Sequence, residues 1–358
     1  MVRRPLPRGA ARRVRRDAVA AVTVLEVADL RVSFASRRGL VPVVTGVSYS
    51  LDEGKTLGLV GESGSGKTIS SLAILGLLRR LPGATVTGSA KLDGRELLDL
   101  ASDRLREIRG RDISMVFQDP TSSLNPSLTI GEQIVETIRA HRAVSGRAAR
   151  DRAVELLRLA GIPSPEMRVR SYPHELSGGM RQRAMIAIAL SCEPRVLIAD
   201  EPTTALDVTI QAQILELLRS LQRRLGLAIL LISHNLAVVA DSCDRVAVMC
   251  AGEIVEQADV FELFDRPGHP YTEALLASTP QMIALGTSRR DTVDLKEVST
   301  LARGCRFAPR CRYAAGRCAE APVPLAASGG RSVRCIRAGE LTLQGTAGVE
   351  VPAAVLAS

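Results

Sequence analysis

The chain has 358 residues, of which 46% are hydrophobic and only 3% aromatic, and it carries a net charge of +9. A chain of this length can bury a full, mainly aliphatic core and has room for one large domain with an appended segment. No apolar stretch is long enough to cross a bilayer, so we expect a chain that does not span a membrane by itself. The positive charge alone leaves nucleic acid, an anionic membrane surface and a nucleotide open as partners.

The first 22 residues are rich in arginine. A charged start followed by the apolar run 18–25 is similar to a secretory signal, but Glu26 and Asp29 interrupt the apolar stretch. We therefore interpret residues 1–22 as an arginine-rich disordered tail. Alternating apolar and polar residues then predict several short strands between residues 23 and 60. Phe34 lies on one of these strands, where its ring could stack on an adenine or fill the core.

A glycine-rich segment follows the apolar run Thr56–Val60 and matches the phosphate-loop pattern G-x-x-x-x-G-K-[ST]. Its glycines let successive backbone N–H groups face phosphate oxygens, and the helix that follows presents its positive N-terminus to the same anion. Lys67 is predicted to reach the outer phosphates and the Thr68 hydroxyl to ligate Mg²⁺. A chance match is disfavoured because lysine is scarce in this chain. The predicted nucleotide-binding residues here are Gly61, Ser63, Gly64, Ser65, Gly66, Lys67 and Thr68.

Apolar spacing predicts the remaining elements of the nucleotide-binding core. In chain order they are a helix over 69–81, strand character over 84–118, a helical block over 128–190, a strand at 195–201, a helix at 209–225 and a strand at 228–232. Alternating strands and helices predict an α/β fold with a mostly parallel sheet covered on both faces. The helical block predicts an inserted subdomain, placed at residues 125–190.

Two acidic residues, Asp200 and Glu201, end a predicted buried strand, and ligands of open α/β sheets bind at the carboxyl ends of their strands. Asp200 is predicted to hold Mg²⁺ through water, and Glu201 to orient and deprotonate an attacking water molecule. The alternative is a pair of acids that caps the next turn.

A second helix N-terminus follows at Leu176–Arg183, whose sequence is Leu-Ser-Gly-Gly-Met-Arg-Gln-Arg. Ser177 is suited to cap the helix, and Gly178 and Gly179 leave backbone N–H groups exposed, so the segment predicts another anion site. It lies between the phosphate loop and Asp200 in the chain. In this order it resembles the signature sequence of ABC-transporter ATPases.

The resemblance to ABC-transporter ATPases extends to single residues. It implies that Gln118 contacts Mg²⁺ and the attacking water, that Asp207 lies in a loop communicating between subunits, and that His234 contacts the γ-phosphate. It further implies ATP and Mg²⁺ as cofactors and a head-to-tail dimer, in which each ATP lies between one chain's phosphate loop and the other chain's signature. The nucleotide-binding positions outside the loop are then Phe34, Ser177, Gly178, Gly179, Gln182 and Asp207.

Three further stretches resemble the ATPase subunits of bacterial dipeptide, oligopeptide and nickel importers. They are Gln118–Pro126, Ser171–Leu176 and Pro267–Thr272. This branch implies an ATPase that powers import of peptides, nickel or related small solutes across the bacterial inner membrane. It implies a peripheral position at the cytoplasmic face, with a second ATPase subunit (identical or a paralogue), two permease subunits, an extracytoplasmic substrate-binding protein and no nucleic acid. The alternatives are a soluble ABC ATPase acting on DNA or the ribosome and a regulator that binds ATP without turnover.

The resemblance divides the chain into an ABC ATPase domain at residues 23–282 and a C-terminal extension at 283–358. The extension carries Cys305, Cys311, Cys318 and Cys335, of the type found in the same branch. We expect these thiols to hold a [4Fe–4S] cluster, with zinc or no metal as alternatives. Arginines flank the cysteines and are expected to lower the thiol pKa values. They are Arg306, Arg310, Arg312, Arg317 and Arg334.

Overall fold

The computed structural model describes residues 22–37, 39–204, 206–278 and 303–346. The arginine-rich stretch 1–21 and Ala205 lie outside these residues. The N-terminal elements are β1 (Thr23–Ser36), β2 (Gly39–Asp52), β3 (Thr56–Val60), α1 (Lys67–Ile74), β4 (Ala84–Leu92), β5 (Arg95–Glu96), α2 (Ser102–Ile108) and β6 (Ile113–Val116). Five helices follow before the next strand: α3 (Pro120–Ser123), α4 (Ile130–His141), α5 (Gly146–Leu159), α6 (Pro165–Arg168) and α7 (Gly178–Ala189).

The C-terminal part returns to alternating strands and helices. Its elements are β7 (Val196–Asp200), α8 (Val208–Leu225), β8 (Ala228–Ser233), α9 (Leu236–Ser242), β9 (Arg245–Cys250), β10 (Glu253–Asp259), α10 (Val260–Asp265), α11 (Pro270–Ala277), β11 (Ala326–Ser328) and β12 (Arg331–Val333). Short 3₁₀ turns lie at Leu78–Arg80, Pro173–Glu175, Ala308–Arg310 and Gly316–Ala319.

An eight-stranded sheet forms the centre of the fold, in the order β11-β12-β10-β9-β3-β8-β7-β6. Five consecutive strands, from β9 to the edge strand β6, are parallel, whereas β10, β12 and β11 pair antiparallel. The predicted α/β fold with a mostly parallel sheet is therefore confirmed. The antiparallel end was not predicted, and β11 and β12 come from the cysteine-bearing segment, so this segment continues the central sheet.

Each face of the central sheet is covered by a different layer. On β7, Leu197 and Ala199 join the hydrophobic cluster that holds the helical block, whereas Val196 and Ile198 join the cluster of a second sheet. This second sheet is antiparallel, in the order β2-β1-β4-β5. Because successive strand residues point to opposite faces, the apolar residues 196–199 of β7 pack against both layers.

Two predicted elements were wrong in extent. The helix expected over 69–81 is α1, which ends at Ile74 and is followed by Gly76 in a left-handed conformation (φ +64°) and a 3₁₀ turn. The segment 84–118, expected to be strand, contains helix α2, whose buried Leu105 and Ile108 pack into the core. A short helix with few apolar positions gives a weak helical period in the sequence. The alternation of the neighbouring strands therefore determined the prediction for this segment. Within the described parts of the chain, no helix combines the length and apolar character needed to cross a membrane.

Candidate active site

The predicted catalytic residues meet at one edge of the central sheet. Gln118 follows β6, Glu201 follows β7, His234 follows β8, and the phosphate loop follows β3. These four strands are parallel neighbours, so their carboxyl ends lie together, where ligands of open α/β sheets bind.

The phosphate loop connects fully buried β3 to helix α1. Gly61 allows no side chain, since a Cβ there would lie 2.1 Å from the carbonyl oxygen of Met249. Lys67 is buried, and its Nζ donates to the carbonyl oxygens of Gly61 and Glu62, both at 2.8 Å. Burial lowers the pKa of Lys67, while the charges of Glu201, Asp200 and Glu62 act to raise it. The loop therefore presents one cation among backbone donors, which suits a polyphosphate.

Thr68 and Asp200 are adjacent, as the predicted magnesium site requires. The Thr68 hydroxyl donates to Asp200 Oδ1 at 3.1 Å. Burial raises the pKa of Asp200, the hydrogen bond from Thr68 lowers it, and the neighbouring Glu201 charge raises it further. Two oxygen ligands beside a phosphate loop fit Mg²⁺, which is usually bound through one or two protein oxygens, waters and substrate phosphates.

The Glu201 carboxylate is held by three side chains. Gln118 Nε2 donates to Oε2 at 3.0 Å, Thr204 Oγ1 donates to the same oxygen at 2.9 Å, and His234 Nδ1 lies 3.0 Å from Oε1. Burial raises the pKa of Glu201. Hydrogen bonds from His234 and Thr204 and nearby positive charge lower it by more, so the net pKa lies below its ordinary value. The carboxylate is thus ionised at neutral pH and can accept a proton from water.

The signature segment lies beside helix α8. Ser177 accepts a hydrogen bond from Met180 N as N-cap of α7. A Cβ at Gly179 would lie 2.8 Å from Ile210 Cγ2, whereas one at Gly178 would lie 3.7 Å from Leu206 Cδ2, its nearest neighbour among the described residues. Asp207 caps α8 by accepting from Ile210 N, so the signature and the Asp207 loop are neighbours within one chain.

The two remaining predicted nucleotide contacts are Gln182, on the signature helix α7, and Phe34, on strand β1. Gln182 is buried on α7. Phe34 is half-buried on β1 and packs against the core cluster of the antiparallel sheet. These contacts are those of a core residue, and stacking of the partly exposed Phe34 ring on adenine stays a prediction.

Comparison with known proteins identifies the family. Residues 44–204 match the family described as ABC transporter, and residues 255–318 match the C-terminal region of oligopeptide/dipeptide transporters. The chain is 49% identical to the oligopeptide transport ATP-binding protein AppD of Bacillus subtilis over 316 residues, which are 87% of this chain and 96% of that protein. It is 46% identical to the dipeptide transport ATP-binding protein DppD of Haemophilus influenzae, covering 88% of this chain and 95% of that protein. The chain belongs to the ABC-transporter ATPases.

A solved structure supports the same assignment. The ABC ATPase described here is similar to a dimeric ATP-binding cassette, MJ0796, in a post-hydrolysis state bound to ADP and Pi. The two share a TM-score of 0.58 and 29% identity, over 66% of this chain and 98% of that chain. The expected ATPase activity and phosphate-loop fold are confirmed at this level.

The four C-terminal cysteines of this ABC ATPase line one cavity, together with Phe307 and others. All four are free thiols. Within the described ranges, no group of three or more His, Cys, Asp or Glu side chains is arranged to hold a metal ion. The four cysteines share this cavity, and the expected metal at this position stays a proposal.

The expected lowering of the thiol pKa values was wrong. Burial raises the pKa of Cys305 and Cys335, and that of Cys311 to about 11. The flanking arginines interact elsewhere. Arg306, Arg310, Arg312 and Arg317 form ion pairs with Glu253, Glu62, Glu273 and Glu340, and Arg334 donates to the carbonyl oxygens of Ile254 and Val323. Burial of these thiols therefore has a larger effect on their pKa values than the flanking arginines do.

Sequence reasoning missed two groups of residues at this site. Thr204 donates a hydrogen bond to the Glu201 carboxylate, and its sequence signal is its position three residues after Glu201. Tyr271 and Arg310 contact Glu62 of the phosphate loop from far along the chain. No local pattern predicts such contacts.

Proposed function

We propose that this chain is the ATP-hydrolysing subunit of a bacterial importer of di- or oligopeptides, or of nickel or related small solutes. The observation that carries the proposal is the Glu201 carboxylate, which three side chains hold beside Asp200, Thr68 and the phosphate loop. The names of the relatives and the match to the oligopeptide/dipeptide C-terminal region support peptides as cargo.

The proposed reaction uses residues from all four strand ends. Backbone N–H groups of the phosphate loop and Lys67 bind the β- and γ-phosphates. Thr68, Asp200 and Gln118 would hold Mg²⁺, which would supply positive charge against the phosphate oxygens when bound. Glu201 orients the attacking water and accepts its proton, while His234 contacts the γ-phosphate.

The second half of each ATP site is proposed to come from another subunit. Residues Ser177, Gly178, Gly179 and Gln182 of one chain, with Asp207 beside them, would face the nucleotide held by the other chain, and Phe34 would stack on adenine. The dimer of the solved ATP-binding cassette supports this arrangement. The partner is an identical chain or a paralogue, and the pair binds two permease subunits at the cytoplasmic face of the membrane. A substrate-binding protein delivers the cargo from outside.

The proposed domain boundaries are 1–22 for the tail, 23–282 for the ATPase domain with its helical subdomain at 125–190, and 283–358 for the extension. Helices α4–α7 between β6 and β7 support the subdomain. The match of residues 255–318 to a separate C-terminal region supports an extension, although it begins before residue 283.

We further propose that Cys305, Cys311, Cys318 and Cys335 hold a [4Fe–4S] cluster. The four thiols line one cavity, and charge on one thiol raises the pKa of others, so they are electrostatically close. A single zinc ion needs all four sulfur atoms about 2.3 Å from the metal, whereas a cluster accepts one thiolate at each of four irons and tolerates a wider set. Such a group would crosslink the extension.

Anaerobic purification of the full chain, with assays for iron and acid-labile sulfide, tests the cluster. About four of each per chain, lost in a Cys311→Ser variant, are expected. Colourless protein with neither element refutes the cluster, and stoichiometric zinc supports the alternative.

Affinity purification from native membranes tests the transport function. We expect two permease chains and a second ATPase to co-purify, and ATP-dependent uptake of peptides in reconstituted vesicles. Recovery of ribosomal proteins or DNA in place of permeases would instead favour a soluble ABC ATPase.

A further inference from the structure

The cysteine-bearing segment reaches the phosphate loop through Arg310. This residue ends the 3₁₀ turn Ala308–Arg310, next to Cys311. Its Nη2 lies 2.8 Å from Glu62 Oε1 and its Nη1 lies 3.3 Å from Oε2. The side chains are only 9% and 17% exposed, respectively. A two-pronged, largely buried pair is the geometry for which guanidinium is suited and ammonium is not.

Aromatic side chains fix both partners of this ion pair. The Arg310 guanidinium lies 5.4 Å from the ring centroid of Phe307, and Phe307 packs edge-on against Tyr271 at 5.3 Å. The Tyr271 hydroxyl accepts a hydrogen bond from the backbone N–H of Glu62 at 3.0 Å. A closed ring of contacts therefore holds Glu62 by its backbone and its side chain.

Glu62 lies where its charge matters for ATP. It is the second residue of the phosphate loop, and its carbonyl oxygen accepts from Lys67 Nζ. Its negative charge also contributes to the pKa of Lys67. A carboxylate at this place, without a counter-charge, would repel the triphosphate and compete for Lys67.

We propose that Arg310 is a positioning residue of the ATP site, which neutralises the Glu62 carboxylate so that the phosphate loop can bind the nucleotide. The C-terminal segment is then part of the ATP-binding apparatus. This inference rests on the ATP-binding role proposed for the loop. It deepens that role by assigning to it a residue from outside the core motifs.

The charge account is tested by two variants that break the same ion pair in opposite ways. Arg310→Met leaves an unneutralised carboxylate and is expected to raise the Kd of a fluorescent ATP analogue about tenfold. Glu62→Gln removes the carboxylate and should leave the Kd unchanged or lower. The double variant should bind within about twofold of the wild type. A purely structural role predicts similar losses in both single variants and no recovery in the double variant, and that result would overturn the proposal.

Controls separate this proposal from the function on which it rests. Lys67→Ala should lose ATP binding; if it binds normally, the loop assignment itself fails. If Lys67→Ala loses binding and folded Arg310→Met binds normally, only the Arg310 proposal fails. Arg317→Met, in the same segment but paired with Glu340, should bind ATP as the wild type does. In hydrolysis assays the Arg310→Met effect should appear in KM and not in kcat.

Thermal unfolding without nucleotide shows whether each variant is folded. If Arg310→Met does not fold, Glu62→Gln and Arg310→Lys decide the matter. The proposal requires Arg310→Lys, which keeps the charge but loses the two-pronged contact, to lose less ATP affinity than the roughly tenfold expected on losing the charge. A tenfold loss in Glu62→Gln would overturn it.

Discussion

His234 Nδ1 lies 3.0 Å from Glu201 Oε1, so the ends of two neighbouring parallel strands are joined through the carboxylate proposed as the catalytic base. The opposite oxygen, Oε2, accepts from Gln118 and Thr204. Glu201 itself has a left-handed backbone (φ +46°), which a non-glycine residue adopts at a cost. The contacts on both oxygens fix the carboxylate and leave it ionised.

Glu201→Gln should retain ATP binding and lose turnover. An amide keeps the size of the side chain but cannot accept the proton of the attacking water, so kcat should fall at least about 100-fold. Binding of a fluorescent ATP analogue and release of phosphate measure the two properties separately. Glu216→Gln, on the exposed face of α8, is the matched control and should hydrolyse ATP normally. Unchanged turnover in Glu201→Gln would refute the base assignment.

Thr204→Val tests the hydrogen bond that the sequence did not reveal. The nearly isosteric change removes one donor to Glu201 Oε2, and we expect kcat to fall about tenfold with the Kd for ATP unchanged. The hydrogen bond lowers the pKa of Glu201, so its loss raises this pKa and the base becomes protonated at a higher pH. The acid limb of the kcat profile should therefore move to higher pH.

The control for Thr204→Val is Thr209→Val, near the start of helix α8. Its kcat profile should match that of the wild type. An acid limb that stays in place in Thr204→Val would show that this hydroxyl does not tune the base.

The sequence indicated residues that the fold brings together because the parts of the candidate site are short motifs at strand ends. Lys67, Asp200 and His234 each follow an apolar run, and parallel pairing then brings the runs to one edge. Long-range contacts could not be predicted. The Arg310 pair joins residues 248 positions apart, and nothing local to either residue indicates the other.

The prediction of lowered thiol pKa values failed for a related reason. Sequence places arginines beside the cysteines, but only the fold shows that these side chains turn to distant carboxylates and carbonyl oxygens while the thiols are buried.

The second sheet was missed because strand runs do not reveal which strands pair. Its two long strands, β1 and β2, are adjacent in sequence and pair antiparallel with several irregularities in register.

Arg331→Met should destabilise the fold in a pH-dependent way. Glu256 is 0% exposed, and Arg331 Nη2 lies 3.2 Å from its carboxylate. Removing the arginine leaves a buried charge, which should cost about 3 kcal/mol at neutral pH. Arg223→Met, from an exposed pair on α8, should cost no more than about 1 kcal/mol.

The sign of the pH effect follows from the pKa of Glu256. Burial raises the pKa of Glu256, whereas hydrogen bonds from Thr272 and Gly268 and the charge of Arg331 lower it. Burial is the larger effect, so the net pKa is raised. Since the folded-state pKa lies above the unfolded value, stability is lost as the pH rises through the folded pKa. Loss of Arg331 raises this pKa further. Thermal unfolding should therefore show a larger deficit for Arg331→Met at pH 8 than at pH 5, and an equal deficit at both would contradict this account.

Gly178→Asp should abolish hydrolysis, while the variant chain itself should fold and bind ATP. A Cβ at Gly178 has room, so the variant should fold, but the new carboxylate faces the proposed anion site for the partner's ATP. Turnover should fall at least about 100-fold while ATP binding to the isolated chain persists. Gly146→Asp is a close control, because Gly146 also follows a capping serine at a helix start and has open space.

Complementation then shows which chain completes the site. A mixture of Gly178→Asp and Lys67→Ala chains can form a dimer with one intact phosphate loop facing one intact signature. If the partner is an identical chain, this mixture should recover turnover that neither variant has alone, well below the wild-type rate because only mixed dimers hold an intact site and each holds one of two. The wild-type rate per chain should rise with protein concentration. If turnover returns only when a paralogous ATPase is added, the active pair is a heterodimer. Normal hydrolysis by Gly178→Asp alone would refute the shared site, because the phosphate loop would then need no second signature.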